Sequence, residues 1–162
     1  LNIMITRIFS TENGYMPLFI RTTIALVIFP HGAQKMLGWF GGYGFSGTMA
    51  YFEGLGIPYI FGLLAILAEF AGALMLLAGA GARIAALTIA VNMITAAMLT
   101  HLQYGFFMYL LGTLAGEGFE YHTLMAALCT FTIVKGAGAL SVDRLVTGRA
   151  VNEHTQRLSF NH

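Results

Sequence analysis

The fold class this sequence predicts is all-α: a four-helix transmembrane bundle with a short interfacial helix in its first outer loop. Three observations predict it. Hydrophobic residues make up 57% of the 162-residue chain and charged residues only 9%. An ordinary soluble domain carries about 25% charged residues, so lipid must cover much of this surface. Long apolar runs recur, the clearest being residues 60–79, IFGLLAILAEFAGALMLLAG. At ~1.5 Å per residue, such a run matches a ~30 Å hydrocarbon core. The arginines, finally, fall in three places that a four-span chain brings to one side of the membrane.

A net charge of +1 gives no clustered basic patch, which excludes nucleic acid as an expected partner. Cys129 is the single cysteine, so neither an internal disulfide nor a CxxC pair exists. The first apolar run begins after residue 15 and carries Arg21, which does not suit the short apolar core of a cleaved signal peptide. The chain divides into an N-terminal segment (1–15), a membrane domain (16–140) and a polar tail (141–162).

In chain order, residues 1–15 read as an interfacial segment. The first helix is expected over 17–37. Pro17 suits a first turn, where a missing N–H costs nothing, and Pro30 is placed to kink the helix. His31 and Lys35 are four residues apart and share a face. Arg21 lies ~40° from Lys35 on an ideal wheel, toward the other end. Residues 38–58 are rich in glycine and aromatics, including Trp39, Tyr43 and Tyr51, and suit a headgroup-level belt. Within them Thr48 to Leu55 is a candidate short helix lying along the membrane.

Helix two, 60–79, holds Glu69 near its middle, on the side that carries Gly62, Ala65, Gly72 and Ala73. Small residues allow close helix approach in lipid, so this side should face the bundle. A carboxyl at that depth costs at least ~2.5 kcal/mol and demands a partner. Helix three is expected over 84–100, with Thr88, Asn92 and Thr95 as a polar stripe. His101 would fall opposite Asn92 on an ideal helix, so either the helix ends before it or the two meet different neighbours. Residues 102–118 have an apolar centre too short to span and read as a re-entrant or interfacial loop. Helix four is expected over 119–140. Its Glu120 and His122 are ~200° apart and cannot face one site, whereas His122 and Cys129 share a side.

Arg7, Arg21, Arg83, Arg144, Arg149 and Arg157 lie near the N-terminus, the turn between helices two and three, or the C-terminus. The positive-inside rule then puts both termini in the cytoplasm and makes Arg83 a topology determinant. That topology collects His31, Lys35, His101 and Glu120 in the outer half of the bundle, with Glu69 ~6 Å deeper than His31 by helical rise.

With these features in view, the chain resembles the DoxX family. The resemblance rests on RTTIALVIFPHGAQKMLGWFGGYG, FEGLGIP, ILAEFAGALMLLAGAGARIAAL and the later His101 with GFF and GEGFEYH. It covers about residues 18–140 and is fairly specific as a combination, although no single piece is. It implies a four-helix integral protein of the bacterial inner membrane, associated with membrane oxidoreductase systems such as quinol oxidase and thiosulfate:quinone oxidoreductase. The positions it carries over are His31, Gly32, Lys35, Glu69, Arg83, His101 and Glu120, which mark a site rather than a mechanism.

Each candidate also has a plainer reading. Glu69 could fix packing by bonding Asn92 or a side chain of helix one. Lys35 could snorkel to the interface, His101 could be a loop-end histidine, and Glu120 with Glu117 could be solvated loop carboxylates. The nine methionines read as packing or lipid-facing filler. No HxxH or ExxH spacing supports a metal, and haem would want histidines held deeper than His31 and His101, so no metal and no intrinsic cofactor are expected.

Quinone fits the cluster better: its carbonyl wants a donor, its reduction consumes protons and its ring wants apolar walls. His31, Lys35 and Glu69 would serve as donor, electrostatic partner and proton carrier. The leading expectation is a subunit of a membrane oxidoreductase complex, in contact with lipid and other subunits, that interacts with quinone. A non-catalytic structural or assembly subunit is the alternative. A small proton or solute transporter ranks last, because no inverted repeat or broken-helix pair is visible.

Overall fold

A computed structural model describes residues 9, 11, 12, 14–108 and 116–148 of the chain. Among these, all regular structure is helical. Helix α1 runs Tyr15–Leu37, unbroken through Pro30, and is followed by a 3₁₀ turn, Trp39–Gly41. Helix α2 is Gly44–Gly54 and α3 is Tyr59–Ala78. Helix α4, Ala82–Ala96, continues into a π-wound turn, Ala97–His101, and a 3₁₀ turn, Leu102–Tyr104. Helix α5 is Glu120–Lys135, and residues 142–148 form a final helix, α6.

Three of these helical stretches, Tyr15–Leu37, Tyr59–Ala78 and Ala82–Tyr104, are long and apolar enough to cross a membrane. Each presents large apolar side chains outward, among them Leu26, Phe61, Leu64, Leu87, Val91 and Ile94. No water-soluble domain leaves so broad an apolar surface uncovered, and here it is the surface that lipid contacts. Helix α1 packs on α3 and α5, α4 packs on α3 and α5, and α2 lies against α1 and α3. The shared core is built from Ile24 and Ile28 of α1, Ala73 and Leu76 of α3, Ala86 and Ile89 of α4, and Met125 and Cys129 of α5.

Two boundaries differ from expectation. Helix α5 stops at Lys135, five residues before Leu140, because Gly136 takes φ 81° and ψ −163°, a backbone state that cannot continue a helix and that favours glycine. Helix α2 begins at Gly44, four residues before Thr48. Contact with α1 and α3 overrides the low helix propensity of Gly44 and Gly47 there. The loop reading of 102–118 falls partly on residues 109–115, which lie outside the described set. On either side of them the loop is pinned by backbone bonds from Gly118 to Phe107, Phe119 to Gly105 and Glu120 to Phe106, at 3.1, 3.2 and 2.8 Å.

One end of the bundle is tied together by an ion-and-cap system invisible in the local sequence. Arg21 is 1% exposed. Its guanidinium donates through Nε to the Ala137 carbonyl (2.8 Å), through Nη1 to Leu76 and to Leu77 (2.7 Å), and through Nη2 to Leu140 (2.8 Å) and Ala139 (3.4 Å). It thus bonds carbonyls of the last turn of α3 and of the turn that follows α5. Asp143, from the segment read as a tail, is buried and accepts from the backbone N–H groups of Gly81 (2.6 Å) and Ala82 (3.0 Å), capping α4. Glu12 N–H donates to Lys135 and Ala139 N–H to Gly14, at 3.2 and 2.9 Å. The start of α1, the end of α3, the start of α4 and the end of α5 therefore meet at one end.

Candidate functional site

The site is built around a close approach of α1 and α3. A Cβ on Gly32 would sit 2.6 Å from the Phe70 backbone nitrogen and 2.7 Å from the Glu69 carbonyl carbon. Only a residue without a side chain lets the two backbones come this near, and the contact brings Lys35, one turn further along α1, over Glu69. The Glu69 carboxylate, 4% exposed, uses both oxygens. Lys35 Nζ forms an ion pair with Oε2, and Asn92 Nδ2 of α4 donates to Oε1 at 2.9 Å. A charged group is tolerated at this depth because it is both paired and hydrogen-bonded. Of the expected polar stripe on α4, only Asn92 turns inward. Thr88 and Thr95 are exposed, and their hydroxyls bond back to Ala85 and Val91 of their own helix.

Beside this pair lies an aromatic and imidazole group. The rings of His101 and His122 are 4.2 Å apart, centre to centre, Tyr121 sits 6.0 Å from His31, and Tyr121 and His122 are 5.4 Å apart. His122 lies within electrostatic range of His101, His31 and Lys35, and the Tyr121 hydroxyl within range of Glu69. His101 Nδ1 is 2.8 Å from the Glu117 carbonyl oxygen. A carbonyl only accepts, so Nδ1 carries a proton and Nε2 of the neutral ring holds a lone pair. The π-wound turn brings His101 here: i→i+5 bonding at Ala97–His101 rotates the helix end relative to an α-helix. His101 and Asn92 do meet different neighbours, one on α5 and the other on α3.

Among the described residues, the Tyr121 hydroxyl and His122 Nδ1 are buried with no hydrogen-bond partner. His122, 8% exposed, also lines an apolar groove of about 310 Å³ between the π-wound end of α4 and the start of α5. Its other walls include Ile94, Ala97, Met98, Phe119 and Ala126.

The expected site residues are therefore distributed as follows. Lys35, Glu69, His31 and His101 gather toward the end of the helix cluster opposite Arg21. Glu120 does not join them: it is exposed and accepts from the Met108 N–H at 3.2 Å. Arg83 is at the Arg21 end and donates to the Ile133 carbonyl. Among the described residues, no group of three or more His, Cys, Asp or Glu side chains is arranged to hold a metal ion. Tyr121, His122 and Asn92 are the members of the cluster that the site candidates did not include. The shared side of His122 and Cys129 was the available signal for His122, since both are buried.

A helix cluster of this kind, with a buried carboxylate at its centre, defines a small integral membrane protein. The DoxX family model matches residues 16–102, more than half of the chain. The chain belongs to the DoxX family. The matched segment contains His31, Lys35, Glu69, Asn92 and His101, whereas Tyr121 and His122 fall beyond it. Among curated proteins and among solved structures, nothing matches the chain.

Proposed function

We propose that this DoxX-family protein is a subunit of a bacterial inner-membrane oxidoreductase complex and that its polar cluster exchanges protons with a quinone or quinol. The observation that carries the reading is Glu69, a carboxylate held between membrane helices by Lys35 and Asn92 and within electrostatic range of Tyr121, whose ring adjoins His122 and, through it, His101. Quinone reduction takes up two electrons and two protons. The chain has no electron-carrying motif of its own, so the electrons come from a partner subunit, while Glu69 and the histidines supply a route for protons. Helix α5, though only 16 residues long, serves as a fourth crossing, because it packs on α1 and α4 and ends where α1 begins. Both termini then lie in the cytoplasm beside Arg21, Arg83 and Arg144, and α2 lies along the outer interface.

Native mass spectrometry of the protein gently extracted from its own membrane tests this. The expected result is a species heavier than 17.5 kDa by the mass of a quinone or of another chain. A bare protein, or a simple multiple of it, would overturn the complex-subunit reading.

One observation favours a second reading, a structural or assembly subunit. Both oxygens of Glu69 are already satisfied within the chain, as a packing lock requires. The two readings part at Glu69→Gln, which keeps hydrogen-bonding capacity but removes the titrating proton. Quinone-coupled turnover falls if Glu69 carries protons and is unchanged if it only holds helices together.

A further inference from the structure

Resting on the quinone reading above, we infer that the quinone ring binds in the groove between α4 and α5, with the Nε2–H of His122 donating to one carbonyl. Glu69 is then part of the proton route behind the ring rather than a direct contact of it.

The groove has the size and lining of a small-ligand site: about 310 Å³, walled by Ile94, Ala97, Met98, Phe119 and Ala126, with one ring nitrogen-bearing side chain among them. It lies between two helices whose outward side chains are mostly apolar, the exposed threonines bonding back to their own helices, so a ligand dissolved in lipid reaches it sideways. A lipid acyl chain would satisfy the walls and nothing else. His122 decides between the occupants. The residue is more than nine-tenths buried, and its Nδ1 has no partner among the described residues. A buried N–H without an acceptor is rarer and costlier than a lone pair without a donor, so Nδ1 holds the lone pair and the proton sits on Nε2. An acyl chain would leave that N–H without an acceptor. A flat ring with a carbonyl at its edge and an apolar tail satisfies both the walls and the donor. His122 also meets the ring of His101 at 4.2 Å, whose Nε2 holds a lone pair, and His101 is tied by Nδ1 to the Glu117 carbonyl in the loop before α5.

The test uses the full chain in phosphatidylcholine nanodiscs, with ¹⁵N-labelled histidine and decylubiquinone as the probe. Saturable shifts of the His122 ring nitrogens are expected with decylubiquinone and not with decylbenzene, which has the same tail on a six-membered ring but no carbonyl or methoxy oxygen. Ala126→Phe, which fills the groove, should abolish saturable binding. His122→Gln should weaken it by about tenfold, the size of one hydrogen bond. If decylubiquinone binds saturably but Ala126→Phe and His122→Gln leave its affinity unchanged, the groove assignment is wrong while the quinone reading stands. If the wild-type protein shows no saturable binding, the quinone reading falls and the groove with it. If decylbenzene shifts His122 equally, the groove is an acyl-chain site and the inference is overturned. The wild-type measurement needs no variant to fold.

Discussion

Glu69 has two carboxylate oxygens, and the two helices beside it take one each. Removing one member of such a pair leaves the others buried without compensation. Glu69→Ala should therefore destabilise the protein by roughly 3 kcal/mol or more, since Lys35 keeps its charge and Asn92 its unpaired N–H. The double variant Lys35→Met, Glu69→Leu should recover most of that loss, because two apolar side chains of similar size need no partner. Thermal unfolding in detergent, compared across the single and double variants, checks this. A double variant as unstable as Glu69→Ala would mean that Lys35 is not the partner that matters. Much of this was readable in the sequence. A mid-span carboxyl must find a partner, and Asn92 and a helix-one side chain were the expected ones. Which histidine would turn inward was signalled only by the side that His122 shares with Cys129. Wheel angles separate Glu120 from His122 but do not say which faces the bundle. That choice depends on how α5 rolls against α1 and α4, a property of the assembled helices.

At the level of elements, the least legible feature was Arg21. Charge counting makes it one more residue on the arginine-rich side, and it does sit at that end. Its work, however, is to collect carbonyls from residues 55 to 119 positions away in the chain, which no local pattern encodes. A planar fork with five donors suits this, and a lysine cannot reproduce it. The π-wound turn before His101 was equally hidden, because nothing in AMLTH distinguishes it from an α-helical turn. Asp143 completes the Arg21 end by capping α4 from a segment whose polar composition suggested a free tail. Asp143→Ala removes the acceptor of two N–H groups and should cost about 1–2 kcal/mol, a fall in Tm of about 2–8 °C for a chain of this size. Asp143→Asn, which keeps one oxygen acceptor, should lose less. Melting curves of the two variants decide it, and a wild-type Tm in Asp143→Ala would show that water caps α4 just as well.

For the whole molecule, the open quantity is the number of crossings, and the geometry of the two ends makes it measurable. The start of α1 and the end of α5 share hydrogen bonds, so an even number of crossings joins them. If α5 crosses, Tyr43, in the turn before α2, and Arg144, in α6, lie on opposite sides of the membrane. Both are exposed, and so are open to chemistry from their own side. The native thiol does not interfere, because Cys129 is 0% exposed in the core. Tyr43→Cys in intact cells should therefore react with a membrane-impermeant maleimide, whereas Arg144→Cys should react only after the membrane is opened. The charge distribution argues for the same orientation, since Arg21, Arg83 and Arg144 gather at one end and Lys35 lies near the other. Labelling of both variants in intact cells would put Tyr43 and Arg144 on one side and overturn the fourth crossing, since α6 follows the end of α5 and that end is bonded to the start of α1. Without a crossing by α5, the groove between α4 and α5 is not bordered by hydrocarbon along its length. A lipid-dissolved quinone could not then enter it sideways, so the crossing count and the proposed binding site stand or fall on linked evidence.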